Sequence, residues 1–137
     1  MDDKQLICEA VKAREMSWSP YSKFSVGAAL LTKSGKVYRG CNIECASFSP
    51  TNCAERTAFF KAVSEGERGF EAIAVVGGPA GAEEYGFAYP CGVCRQVMME
   101  FCEPESFRII TANSAGECAV RTLEEMLPLG FGPASLA

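Results

Sequence analysis

Two short stretches carry residues that could do chemistry together. In "NCAERTAFF", Cys53 and Glu55 stand two positions apart, with Arg56 directly behind them. In "YPCGVCRQ", Cys91 and Cys94 have the C-x-x-C spacing. A thiol, a carboxylate and a guanidinium in one turn have little use in packing. Each has a use around a cation: thiolates ligate it, a carboxylate moves protons beside it, and a guanidinium adjusts the local charge. Cys53 and Cys91 both stand where a helix is expected to begin. Unpaired N–H groups and the helix dipole favour the thiolate there. Two such helix starts meeting at one edge of a sheet gather three sulfurs.

The chain has no histidine among its 137 residues. Imidazole nucleophile pairs and imidazole metal ligands are therefore both excluded. A zinc ion must be held by thiolates, with carboxylates as the remaining donors. Cys53, Cys91 and Cys94 as ligands leave a fourth position open, the mark of a catalytic zinc. Water there becomes far more acidic, its pKa falling from about 15.7 toward roughly 7. Three thiolates outweigh the dication's charge and work against that acidity. Arg56, one turn from Cys53, can donate to sulfur and restore it, and Glu55 can take and relay the proton. Two plainer readings stand beside this one. With Cys41 or Cys45 as fourth ligand the cysteines would close a structural zinc site, which has no use for Cys-x-Glu-Arg. As a redox C-x-x-C, Cys91 and Cys94 would leave Cys53 and Glu55 unexplained.

The elements that must position these residues follow from periodicity. Leu6, Ile7, Ala10 and Val11 share one face of a helix expected over 2–16, with Asp2 and Gln5 as a capping box. A strand over 23–32 and a partner over 37–44 form a hairpin about "KSGK". Residues 43–52 read as a loop, and 53–66 as a helix stopped by Gly66. Residues 70–78 read as a buried strand. The loop 79–90 is glycine-rich and expected to be mobile. A helix over 91–102, strands over 107–112 and 118–122, and a last helix capped by Thr122 and Glu125 follow. This order predicts an α/β fold, a three-layer α/β/α sandwich about a central five-stranded mixed sheet, in one domain spanning 1–137. Phe59, Phe60, Ile73, Val75, Val97 and Ile109 are expected in its core. Cys8, Cys102 and Cys118 read as small core residues. Arg95 either pairs with a carboxylate or supports the thiolates.

Composition excludes several classes. Apolar residues make up 48% of the chain and charged residues 22%, as in soluble globular proteins. Runs such as "SVGAALL" are too short to cross a bilayer. A net charge of -4 gives no general attraction for phosphate backbones, so no nucleic-acid partner is expected. No basic-then-apolar leader is visible at the N-terminus, so the eight cysteines are expected to be reduced in a cytoplasmic protein.

Cys53-Ala54-Glu55 and Pro90-Cys91-Gly92-Val93-Cys94 match the zinc nucleobase deaminase signature in its three-cysteine form. "SPYSKFSVGAALLTKSGKVYRGCNIE", "CAERTA", "CGVCRQV" and "LPLGFGP" extend the likeness along nearly the whole chain. The sequence resembles the small bacterial-type cytidine deaminases. That resemblance implies zinc-dependent hydrolytic deamination of cytidine and 2'-deoxycytidine to uridine and 2'-deoxyuridine, with release of ammonia, in pyrimidine salvage. It implies one zinc per subunit on Cys53, Cys91 and Cys94, with Glu55 moving protons. It assigns Asn42 and Glu44 to the sugar hydroxyls, Phe24 to the face of the pyrimidine, and the Ala54 backbone to the base edge. It also implies a homotetramer in which Ala46, Phe48 and Phe131 help to complete a neighbouring subunit's site. Outside their motifs, Phe24 would read as core, Asn42 as a turn residue and Glu44 as a solvated charge.

The chain departs from the family pattern in places. Phe48 stands where a tyrosine is usual, Cys45 where asparagine is, and the loop before Cys91 is long. These departures leave room for a modified cytosine nucleoside or a nucleoside antibiotic as substrate. A non-catalytic, zinc-stabilised binding module is the alternative from another class.

Overall fold

In the computed structural model, which describes residues 1–137, α1 (Asp3–Arg14) precedes a hairpin of β1 (Phe24–Thr32) and β2 (Val37–Cys41). α2 (Ala54–Ser64) leads into β3 (Phe70–Pro79), and α3 (Gly92–Phe101) into β4 (Arg108–Ala112). β5 (Cys118–Thr122), α4 (Leu123–Met126) and a 3-10 turn over Pro133–Leu136 follow. Both expected capping boxes form: the Asp2 side chain accepts from the Gln5 N–H, and Thr122 accepts from the Glu125 N–H.

The strand order is β2-β1-β3-β4-β5. β1 is antiparallel to β2 and β3, β3 is parallel to β4, and β5 is antiparallel to β4. β2 and β3 therefore run the same way on either side of β1. Side chains alternate across the pleat. Ala28, Leu30, Ile73, Val75 and Ile109 pack with Ala58, Phe59, Met98 and Leu123 of α2, α3 and α4. Ala29, Leu31, Ala72, Ala74, Val76 and Ile110 pack on the opposite face with Leu6 and Ala10 of α1. Because both faces are covered, the central strands read as continuous apolar runs. The result is the expected α/β/α sandwich about a five-stranded mixed sheet.

This topology brings several chain segments to one end of the sheet. The ends of β2 and β3 both lie beside the start of β1, with Gly27 opposite Cys41 and Phe24 opposite Pro79. The segments leading into α2 and α3 leave from there, as does the loop that enters β1. The α2 contact is close because β2 carries a glycine. A Cβ at Gly40 would lie 2.3 Å from the Ala54 carbonyl oxygen and 2.5 Å from the Ala58 nitrogen.

Four expectations change. β2 ends at Cys41 rather than at 44, because the Asn42 side chain takes over the pairing. Its Oδ1 accepts from the Val26 N–H at 2.9 Å and its Nδ2 donates to the Phe24 carbonyl at 2.8 Å. Phe60 is 47% exposed, since it lies off the stripe formed by Ala54, Ala58, Phe59 and Ala62. Cys8 and Cys118 are exposed, Cys8 on α1 and Cys118 on β5, the outermost strand. The segment 79–90 is tied down instead of loose, with Tyr85 bonded to Ser114 and its neighbours held by Arg14.

Gly40→Ala should push α2 away from β2, at a cost of roughly 1–3 kcal/mol. Denaturant unfolding measures the loss. Gly92→Ala, where an added Cβ meets nothing within 4 Å, should unfold close to the wild-type midpoint.

Candidate active site

Cys53 is the N-cap of α2 and Cys91 the N-cap of α3, both in extended backbone conformation. Neither side chain caps its own helix. The sulfurs turn instead toward each other and toward Cys94, which is buried in the first turn of α3. The three Sγ atoms lie within 4.8 Å of one another, and Cys53 and Cys91 are 3.9 Å apart. Tetrahedral zinc–sulfur bonds of ~2.3 Å require sulfurs about 3.8 Å apart, so the observed spacing fits that ion. Glu55, Cys41 and Cys45 do not belong to this group. A closed four-ligand structural site is thus not assembled.

The charge around the sulfurs is arranged for thiolates. Arg56 Nη2 donates to Cys53 Sγ at 3.3 Å. The Arg56 Nε is buried and makes no hydrogen bond. Burying guanidinium nitrogen is costly unless negative charge stands close by. A hydrogen bond from Cys94, helped by Arg56, holds the Cys53 thiol down to about 5. The Cys94 thiol is pushed up, first by that same bond to Cys53 and then by burial.

Glu55 follows Cys53 by two residues and is only 4% exposed. Burial pushes its carboxyl up to about 7, against its own backbone hydrogen bond and the Arg56 charge. Glu55, Ala54, Cys53 and Cys91 line one part of a cavity of about 250 Å³. Phe24, Val26, Asn42 and Glu44 line another, so every residue assigned to the base or the sugar borders this one space. Asn42 and Glu44 are held firmly. Glu44 accepts from the N–H groups of Tyr21 and Ser22 at 3.0 and 3.1 Å and from the Ser22 hydroxyl. These bonds, the Ser22 hydroxyl first, hold its carboxyl below the usual range. Asn42 Oδ1 also accepts from the Ser17 hydroxyl.

Ala46, Phe48 and Phe131 do not border this cavity. Phe48 is 67% exposed, has a φ of +37°, and rests edge-on against Tyr21 at 5.6 Å. Phe131 is likewise exposed, its carbonyl accepting from Gln96 Nε2. Arg95, left open between two uses, serves neither of them. It donates to the Pro90 carbonyl at 2.8 Å and the Met126 carbonyl at 2.7 Å, pinning the approach to Cys91 onto α4. Motif reading missed Thr51, Asn52, Ala88 and Tyr89, which also line the cavity. Only Tyr89 gave a sequence signal, a large aromatic two residues before a proposed ligand. A larger cleft of about 600 Å³ lies beside α1, β2 and α2. Of its cations, Lys12 and Arg39 pair with Glu9 and Lys61 donates to the Arg39 carbonyl, and its Glu15 and Cys41 form no cluster that could hold a metal ion.

Residues 1–109 match the family described as the cytidine and deoxycytidylate deaminase zinc-binding region. The chain belongs to this family. It is 50% identical over 137 residues to a cytidine deaminase of Sporosarcina psychrophila, covering 100% of this chain and 96% of that protein. It is 52% identical to the cytidine deaminase of Halalkalibacterium halodurans, covering 96% of this chain and 95% of that protein. The crystal structure of a Burkholderia pseudomallei cytidine deaminase superposes with a TM-score of 0.87 at 46% identity, covering 96% of this chain and 100% of that one. Zinc is accordingly the cofactor that this family site takes, and the three-sulfur cluster suits it.

Proposed function

We propose that the chain is a zinc-dependent hydrolase that deaminates cytidine and 2'-deoxycytidine to uridine and 2'-deoxyuridine, releasing ammonia. One observation carries this reading. A buried carboxylate outside the sulfur cluster, Glu55, shares a cavity with two of its three cysteines, Cys53 and Cys91, and with the polar pair Asn42 and Glu44. A zinc-stabilised binding module has no need of a buried free carboxylate at its metal.

Cys53, Cys91 and Cys94 hold the zinc, which supplies the Lewis acidity that makes water a competent nucleophile near neutral pH. Phe24 stacks on the pyrimidine, and the Ala54 backbone meets the base edge. Asn42 and Glu44 grip the sugar hydroxyls; both side chains are already locked, so little conformational entropy is lost on binding. Glu55 removes a proton from the attacking water and delivers it to ring N3. The water oxygen bonds to C4. Glu55 then takes the second proton from the new C4 hydroxyl and passes it to the C4 amino group; the C4–N bond breaks as the C4 carbonyl forms, and ammonia leaves. A carboxyl pushed toward neutrality by burial can both accept and release protons in this way. Arg56 draws electron density from Cys53 and offsets the charge of three thiolates.

We read residues 1–137 as one domain, cytoplasmic and active in pyrimidine salvage. All eight cysteines are free, and no helix is long and apolar enough to cross a membrane. A homotetramer is the proposed assembly, with Ala46, Phe48 and Phe131 of each chain completing neighbouring sites. Exposed Trp18, Tyr21, Ile43 and Phe48 support it, since solvent alone gives no reason to display them. Light scattering should return a mass about four times 14.7 kDa; a stable monomer would refute the assembly.

The test of the activity is ammonia release from purified protein offered cytidine, deoxycytidine and base-modified cytosine nucleosides. Turnover of the first two should exceed that of the others. Glu55→Gln should lower kcat by roughly 10²–10⁴-fold with zinc retained. Arg56→Gln should lower it by about 10–100-fold, also with zinc retained. Absence of ammonia from the zinc-loaded wild type contradicts the proposal.

A further inference from the structure

The segment joining β3 to α3 is the part of the site to which the cysteine and glutamate motifs give no task. Its course is set at both ends. Tyr85 lies directly on Gly78, where an added Cβ would stand 2.3 Å from the Tyr85 Cβ. The Arg14 guanidinium sits 4.5 Å from the Tyr85 ring centre and donates to the carbonyls of Ser25, Pro79 and Ala82. Tyr85 N–H donates to the Ser114 hydroxyl at 2.8 Å, and that hydroxyl donates back to the Tyr85 carbonyl at 3.1 Å. At the other end, Arg95 holds the carbonyl of buried Pro90.

Between these anchors, Ala88 and Tyr89 border the cavity. The Ala88 Cβ and the Phe24 Cε1 flank the same space over Gly77, at 3.0 and 3.3 Å from where a Cβ would stand. The segment thus abuts the ring assigned to the pyrimidine. Tyr89 comes next, two residues before Cys91, so their Cα atoms lie within about 7 Å of each other. That puts Tyr89 on the part of the cavity wall next to Cys91. Its ring stacks against Phe87, with centroids 6.4 Å apart and planes 20° apart. An aromatic ring suits contact with a flat heterocycle.

We propose that Tyr89 is a specificity-determining residue that contacts the cytosine base and limits what substituents the base can carry. The proposal rests on the deaminase reading above and adds a residue to it. Tyr85, Arg14 and Ser114 are positioning residues that present Tyr89 to the cavity.

Wild type, Tyr89→Ser and Tyr89→Phe are to be assayed for ammonia release from cytidine and from 5-methylcytidine, with zinc content measured for each. In Tyr89→Ser, KM for cytidine should rise roughly tenfold while kcat stays within about threefold of wild type. The kcat/KM ratio of 5-methylcytidine to cytidine should rise by at least about fivefold, and Tyr89→Phe should keep the wild-type ratio. A ratio in zinc-loaded Tyr89→Ser within about twofold of wild type overturns the proposal whatever happens to KM, because a loosened loop alone would move KM. Should Tyr89→Ser fail to fold, Tyr89→Ala, which also removes the ring, is judged by the same ratio. Wild type that releases no ammonia from either nucleoside sinks the deaminase reading itself, and this inference with it.

Discussion

Sulfur anions repel one another, and three of them within 4.8 Å demand compensation from every direction. A zinc ion held by them would supply most of it. The fold supplies the rest before any metal arrives. Cys53 and Cys91 each stand at a helix start, where roughly half a positive charge is concentrated. Arg56 adds a full charge and a direct N–H···S bond. Removing any of these contributions leaves thiolate charge without an answer in a partly buried place. The same arrangement explains how a chain without histidine can hold a reactive metal.

Bringing two helix starts together is a problem of topology and of close approach. Since β2 and β3 run in the same direction, the segments after them emerge at one end of the sheet, the usual place for a site in an α/β fold. Small residues then let the helices lie tightly. Gly40 admits Ala54 and Ala58 of α2, and Gly27 admits the Ala10 carbonyl of α1. Around that frame, polar side chains replace missing backbone pairing. Asn42 ties the end of β2 to the start of β1, and Arg95 ties the approach to α3 onto α4. The side chains that line the cavity are thus mounted on structure that exists for other reasons, which keeps them rigid.

Much of this was legible in the sequence. Apolar periodicity and continuous apolar runs, turn and stop residues and two capping boxes located the five strands and the helices, and C-x-E with P-C-x-x-C located the cluster. What stayed hidden has specific causes. The end of β2 depends on a side chain, Asn42, mimicking a backbone rung, and pattern reading cannot see that. Phe60 belongs to an apolar run but lies outside the stripe that α2 buries. The segment 79–90 looked loose by composition, yet its order comes from Arg14 and Ser114, distant in sequence. Cavity residues such as Ala88 and Thr51 have no motif because their contribution is shape. Arg95 resolved into a structural clamp on two carbonyls, a use that residue type alone does not single out.

The central claim is that zinc here has three protein sulfurs and a coordination position that no side chain fills. X-ray absorption at the zinc edge of the loaded protein tests it directly. The account predicts about three sulfurs at ~2.3 Å and one oxygen at ~2.0 Å per zinc. A shell of four sulfurs, or one in which a protein carboxylate replaces the exchangeable oxygen, would contradict it.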